Sequence, residues 1–258
     1  MYSIDHCLAC KSLEIEKVPA GLTQFIMWRI TGEFHHNHFP TYAIKCNHCG
    51  FIGCGHRLSD EEETKLYKDY RGEEYTNQRI FLESWYKDHL EKMNSANYRS
   101  LRYSLINEII DRNIDRTTIS SVLDYGGDDG SYIPTRFIKA KKFVYDISGV
   151  NPTLGVRAFD PRLNPNFKFD FIQCCHVLEH KSDPDSAIKD ILRFSTKDTW
   201  LYWEVPNFDC PPIPGGVFHE HLNIFNIRSL SALLNKFNLE VIDSIENENL
   251  ALLTKLRT

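Results

Sequence analysis

The sequence predicts an α/β fold in which a mostly parallel, helix-covered sheet follows a cysteine-rich module and a helical connector. Three observations carry that reading. Strand-like and helix-like segments alternate from about residue 119 onward. Two Cys-x-x-Cys pairs lie near the amino terminus. An apolar run starting at Val122 breaks into a glycine-rich acidic turn, Val-Leu-Asp-Tyr-Gly-Gly-Asp-Asp-Gly-Ser-Tyr, which ends at Tyr132.

At 258 residues the chain has length for one or two domains. A net charge of −5 and a pI near 6.1 supply no basic field for nucleic acid or an anionic membrane. No apolar run approaches the ~18 residues that span a bilayer, so membrane insertion is not expected. The opening Met-Tyr-Ser-Ile-Asp-His-Cys lacks the charged and apolar regions of a secretory signal. A cytoplasmic protein is the expectation, and there cysteines more often bind metal or do chemistry than form disulfides.

Residues 1–58 read as a metal-binding domain. Cys7-Leu-Ala-Cys10 and Cys46-Asn-His-Cys49-Gly50 are two such pairs. Two thiolates at this spacing can occupy adjacent vertices of a tetrahedron, so Cys7, Cys10, Cys46 and Cys49 together suit a closed, structural zinc ion. Cys54, His48 and His56 are substitutes if one ligand is misassigned, and the bland alternative is a set of reduced, buried thiols. Residues 59–118 read as a helical connector that caps the site. Ser59-Asp-Glu-Glu-Glu63 is a helix start, because acids in a first turn complement the helix dipole. Ile80, Leu82, Trp85, Tyr86, Leu90, Leu101, Leu105, Ile109 and Ile110 recur at helical spacing.

Residues 119–258 carry the sheet. Strands are expected at 119–124, 142–146, 156–159, 169–175, 199–205, 239–245 and 250–256, with helices at 132–140, 185–194 and 227–237. This alternation argues a parallel sheet with helices on both faces. Only Glu246-Asn-Glu-Asn249 separates the last two strands, so they must pair as an antiparallel hairpin.

At the turn, glycine permits close backbone approach and positive φ. Asp124, Asp128 and Asp129 favour a ligand carrying positive charge over a bare pyrophosphate, and S-adenosylmethionine, with its sulfonium and ammonium, is one. Residues 119–258 resemble the class I S-adenosylmethionine-dependent methyltransferases, whose seven-stranded, Rossmann-like sheet ends in a reversed hairpin. Asp124, Gly126 and Gly130 match that family's first motif; Asp128 stands where glycine is usual, beside Gly127. The resemblance implies that Asp146 accepts the ribose hydroxyls, that Asp160 meets the adenine amino group and that Phe159 packs on the ring. It also implies that Cys174 and His176, in Cys174-Cys-His-Val-Leu-Glu-His180, approach the methionine portion, with Leu178 and Glu179 packing the turn. Each has a bland alternative as a turn cap, core side chain or surface imidazole.

Knuckles, connector and sheet in this order resemble the sugar C-methyltransferases and the methyltransferases of bacterial surface polysaccharides. Tyr70-Arg-Gly-Glu-Glu-Tyr75 matches their tyrosine-bearing segment over the cofactor, which implicates Tyr75. Phe218-His-Glu-His-Leu matches their Tyr-His-Glu-His, which implies functional roles for Glu220 and His221. A base must take the proton as an acceptor oxygen attacks the methyl group, and imidazole beside a carboxylate suits that task. His221 is the first choice, with His219 and His180 as further catalytic candidates, although His219 and His221 alternate and one of them could simply be solvated. Phe218 brings no hydroxyl, which shifts the expectation from C-methylation toward O-methylation of a sugar or nucleotide sugar for capsule or lipopolysaccharide synthesis. Two other readings stay open. One is an RNA methyltransferase using the knuckles, against which the acidic balance and lack of a basic-aromatic stripe count. The other is a non-catalytic cofactor-binding scaffold, suggested by the departures at Asp128 and Phe218.

Overall fold

A computed structural model describes residues 1–93, 95–207 and 216–257. The proline-rich stretch 208–215 lies outside the described residues. The amino-terminal module runs β1 (Tyr2–Ser3), β2 (Ile15–Leu22), α1 (Gln24–Thr31), β3 (Phe39–Cys46), β4 (Ile52–Cys54) and β5 (His56–Arg57). The connector follows as α2 (Asp60–Leu66), α3 (Glu73–Leu82), α4 (Tyr86–Met93) and α5 (Ala96–Asn113). A capping box opens α2: Ser59 Oγ accepts from the Glu62 amide at 3.3 Å, and Glu62 Oε2 accepts from the Ser59 amide at 2.8 Å.

Next come β6 (Ser121–Tyr125), β7 (Lys141–Tyr145), β8 (Val156–Ala158), β9 (Phe171–Cys175), α6 (Pro184–Leu192) and β10 (Trp200–Pro206). The chain ends with β11 (Val217–Phe218), β12 (Asn223–Ile224), α7 (Ile227–Asn235), β13 (Leu239–Glu246) and β14 (Asn249–Leu256). Seven of these strands form one sheet in the order β13-β14-β10-β9-β6-β7-β8. The pairs from β10 through β8 are parallel, whereas β14 runs antiparallel to both β10 and β13. The expected reversed hairpin is therefore present. Strand order turns back between β6 and β9, the kind of crevice where open α/β sheets bind ligands.

Alternating side chains give this sheet two apolar faces. Val122, Phe171, Tyr202, Ala251 and Leu253 pack beneath Ile106, Ile109 and Ile110 of α5. Leu123, Ile172, Leu201, Trp203 and Leu252 face Ile188 and Ile191 of α6 and Leu230, Leu233 and Leu234 of α7. Helices thus cover both faces. The helix expected at 132–140 is absent, and that segment runs as successive turns. Pro134 has no N–H and disfavours helical geometry at Ile133, so no regular ladder starts there. Ile133 and Phe137 are nonetheless buried in the α5 face.

A second sheet has the order β11-β2-β3-β4-β12. Its edges come from 217–224, so the segment bearing His219, Glu220 and His221 is pinned to the amino-terminal module on both sides. The cysteine knuckles also share the apolar cluster of α6 and α7: Phe51 meets Phe225 at 5.4 Å between ring centroids. Lys236 Nζ bridges the Leu8 carbonyl at 2.6 Å and Asp185 at 2.5 Å.

Candidate functional site

The four knuckle cysteines converge. Cys7 and Cys49 sulfurs lie 3.6 Å apart, as do those of Cys10 and Cys46, and all four fall within 4.8 Å of one another. A tetrahedron with metal–sulfur bonds of about 2.3 Å has edges of roughly 3.8 Å, so the donor set fits a tetrahedral thiophilic ion. Both loops repeat one design. The Cys10 amide points at Cys7 Sγ (3.4 Å) and the Cys49 amide at Cys46 Sγ (3.5 Å). Lys11 and Gly50, each following its second cysteine, have φ of 62° and 77°. The Cys7–Cys49 contact favours the thiolate on Cys7 and disfavours it on Cys49, so the two sulfurs share one proton between them. Cys54 is elsewhere, 3.7 Å from Thr41 Oγ1.

At the carboxyl edge of the large sheet lies a cavity of about 470 Å³. Its walls come from the connector (Tyr70, Arg71, Trp85, Arg102), the first turn (Asp128, Asp129), the turn after β9 (His176, His180) and the segment His219–His221. That size accepts a drug-sized ligand. The glycine turn behaves as its composition demands. Gly126 has φ 72°, and a Cβ there would stand 2.4 Å from Val177. A Cβ on Gly127 would meet the Asp124 carboxyl at 2.1 Å. Gly130 closes the turn, its amide donating to the Gly127 carbonyl at 2.9 Å. Asp128 adopts φ 56°, the left-handed conformation that glycine usually supplies and that aspartate tolerates better than most residues.

Asp146, at the end of β7, accepts from the amides of Asp128 (2.9 Å) and Ser148 (2.7 Å) and so fixes the turn against the second strand. Asp124 is 1% exposed, and burial pushes its carboxyl up to about 7 despite opposing help from Gln173 and Arg102. Asp160 lies outside the cavity wall and forms a two-point pair with exposed Arg162 at 3.1 and 2.9 Å. Arg162 holds that carboxyl below its ordinary value.

Three of the expected cofactor contacts lie buried in the apolar core. Phe159 sits among Phe143, Phe167, Phe169 and Phe194. Cys174 points to the α6/α7 face, two positions from Ile172 on the same strand. Tyr75 is fully buried against Phe25 and Tyr70, and within its segment Tyr70 and Arg71 reach the cavity.

His176, with φ 56°, lies between two carboxylates: Nδ1 to Glu179 Oε1 and Nε2 to Glu204 Oε1, both 3.1 Å. Burial and Arg102 oppose its charge, but the two acids prevail and raise its pKa above the ordinary imidazole value. Glu204 also accepts from Tyr202 (2.6 Å) and Asn249 (3.1 Å), and lies 3.5 Å from Arg102. His180 Nδ1 donates to the Glu220 carbonyl at 3.2 Å, and its ring meets His221 edge-on at 4.7 Å between centroids. Burial pushes His180 down to about 4 and His221 to about 3, so both are neutral at physiological pH. Burial likewise pushes the Glu220 carboxyl up, with Arg71 opposing, while Arg79 sits against its Oε1.

His219 has a different environment. Its side chain is 33% exposed, its Nδ1 is 3.0 Å from Glu83 Oε1, and its ring stands perpendicular to Trp85. Burial works against the Glu83 charge, but His219 and Arg79 hold the carboxyl below its ordinary value. Glu83, Arg79, Arg102 and Glu204 were not singled out by sequence reasoning. Asn223 is a further such residue. It donates to the carbonyls of Leu178 (2.8 Å) and Lys181 (2.7 Å) and accepts from buried Arg57 at 2.6 Å. One side chain thereby locks the two histidine-bearing loops together.

The strand order, the reversed hairpin and the glycine turn define a methyltransferase-type sheet with its cavity in the expected crevice. A family described as "Methyltransferase domain" matches residues 96–244, more than half of the chain, and the protein belongs to that family. It is a methyltransferase. No curated protein sequence matches the chain. Among solved structures, it is similar to the 1,6-didemethyltoxoflavin-N1-methyltransferase of Burkholderia thailandensis, solved with 1,6-didemethyltoxoflavin and S-adenosylhomocysteine. The identity is 14% over 84% of this chain and 96% of that one, with a TM-score of 0.52, a likeness of fold. An S-adenosylmethionine-dependent methyltransferase from Aquifex aeolicus matches at 16% identity over 66% of this chain and 98% of that one, with a TM-score of 0.46. The mitomycin 7-O-methyltransferase MmcR matches at 13% identity over 77% and 71%, with a TM-score of 0.44. Among the described residues, no helix is long and apolar enough to cross a membrane.

Proposed function

We propose that the protein uses S-adenosylmethionine to O-methylate a sugar or nucleotide sugar, of the kind built into bacterial surface polysaccharides, with zinc on Cys7, Cys10, Cys46 and Cys49 as a structural ion. One observation carries the catalytic part: His219, which lines the same cavity as the aspartate-rich turn, is paired with the buried Glu83 carboxylate. The donor supplies an electrophilic methyl group on a cationic sulfur.

Asp128 and Asp129 line the cavity and provide the acidic rim that such a cation needs, with Asp146 fixing the turn from behind. Glu83 accepts from His219 Nδ1–H, which leaves Nε2 as the ring's proton-accepting nitrogen. An acceptor hydroxyl delivers its proton to that nitrogen as its oxygen bonds to the methyl carbon. The carbon–sulfur pair leaves with sulfur, and the remaining task of the walls is to align the partners. This arrangement favours His219 as base, because its ring is both partly exposed in the cavity and oriented by Glu83. Phe218, buried beside them, offers no hydroxyl, which supports oxygen rather than carbon as the acceptor.

The experiment is a methyl-transfer assay with S-adenosylmethionine across nucleotide sugars, simple glycosides and RNA, with the product located by mass spectrometry. Methylation at a sugar oxygen supports the reading. Methylation of RNA alone, or at sugar carbon, replaces the acceptor. Cofactor binding without turnover on any of them leaves the scaffold reading standing.

A further inference from the structure

The turn after β9 and the segment between β11 and β12 bring together three side chains that the mechanism above leaves unused: Glu179, His180 and His221. One ligand atom from each lies within 4.8 Å of the others. Their surroundings are those of metal ligands. Glu179 is 1% exposed; its Oε1 is taken by His176, while its Oε2 has no hydrogen-bond partner among the described residues. A buried carboxylate oxygen without a partner is costly, and a cation would satisfy it. His180 gives its Nδ1 proton to the Glu220 carbonyl, which leaves Nε2 as the donor atom, 3.9 Å from Glu179 Oε1. Ligating histidines characteristically use one nitrogen this way while the other carries the metal. Asn223 ties the two loops that supply these ligands, so the set is held before any ion arrives. His180 and His221 also line the cavity, which leaves coordination positions facing the substrate space.

We propose that Glu179, His180 and His221 form a second metal site, taking a divalent first-row transition ion such as manganese, iron or zinc with open positions toward the methyl acceptor. Two imidazoles and one carboxylate suit those ions better than magnesium or calcium, which prefer all-oxygen shells. The open positions distinguish this site from the closed four-cysteine one. An ion here makes an acceptor hydroxyl in its shell more acidic, and the proton then passes to His219. The acceptor class it selects has two neighbouring oxygens, such as a vicinal diol. This consequence rests on the methyl-transfer reading, whereas ion binding does not.

The test is titration of the full-length protein, with its cysteine site already filled, by Mn²⁺, following free Mn²⁺ by electron paramagnetic resonance. Saturable uptake of one equivalent is expected, weakened about tenfold or more in both Glu179→Gln and His221→Asn. As a readout independent of variant folding, wild-type protein loaded with Co²⁺ should show weak nitrogen/oxygen-type visible bands besides any intense thiolate bands. No saturable Mn²⁺ binding, uptake unchanged in the variants, or thiolate bands alone overturns the proposal. Calorimetry with S-adenosylmethionine on the same samples separates the two readings. Donor binding and turnover with no Mn²⁺ uptake at this site defeats only this one; metal uptake without donor binding defeats only the other.

Discussion

Asp124 offers a prediction whose size follows from its burial. The carboxyl is 1% exposed and is pushed up to about 7 from an ordinary value of 3.8. Burial is the main cause; Gln173 and Arg102 pull it back, and Asp146 and Asp129 add to the rise. A folded-state pKa above the unfolded one means that the native protein holds a proton which the unfolded chain has released between those values. Stability from this group is therefore complete below pH 3.8 and is lost as pH rises through about 7. Three units at about 1.4 kcal/mol each give roughly 4 kcal/mol across the window, as an order of magnitude. Asp124→Asn keeps the shape and removes the titration. Urea unfolding of both proteins between pH 5 and 8 should show the variant gaining on wild type by about 1.4 kcal/mol per pH unit until near neutrality, then levelling. Parallel stability profiles would refute the reasoning. A cationic ligand at this rim should also draw that proton off, so donor binding near pH 6 should release protons, measurable as a dependence of binding enthalpy on buffer.

Removing metal from the cysteine cluster should lower the unfolding temperature. It should also reduce turnover of the protein that remains folded, because the knuckles pack against α7 and the same module holds both edges of 217–224; chelator-treated samples followed by calorimetry and activity check both, and full turnover in folded, metal-free protein would contradict the coupling. Glu83→Gln should lower kcat on the order of a hundredfold with donor affinity unchanged, since the base loses its orienting charge; a change confined to donor affinity would contradict the role given to His219.

What the sequence revealed follows the range of its signals. Strands β6, β7, β9, β10, β13 and β14 were legible because each is an apolar run bounded by turn residues, and the hairpin because four residues leave no other pairing. The cysteine cluster was legible because two local spacings suffice. The helix expected at 132–140 failed on one residue, Pro134. Cys174 and Phe159 carried suggestive chemistry, yet the two-residue period of β9 already sets Cys174 on the face of Ile172. The two-residue strands β11 and β12 could not be read, because their partners lie some 170 to 200 positions earlier. For the same reason Glu83 was not seen as the partner of His219, 136 residues away. Contacts of this range come from the fold, not from spacing.

The central claim is that an acidic crevice between β6 and β9 holds a cationic adenosyl donor. Isothermal titration calorimetry with S-adenosylmethionine, on wild type and Asp146→Ala, tests it most directly. The account predicts one saturable site in wild type and binding weakened about tenfold or more in the variant, which loses the acceptor for the Asp128 and Ser148 amides. Absent binding in folded wild-type protein, or equal affinity in the two, would contradict it.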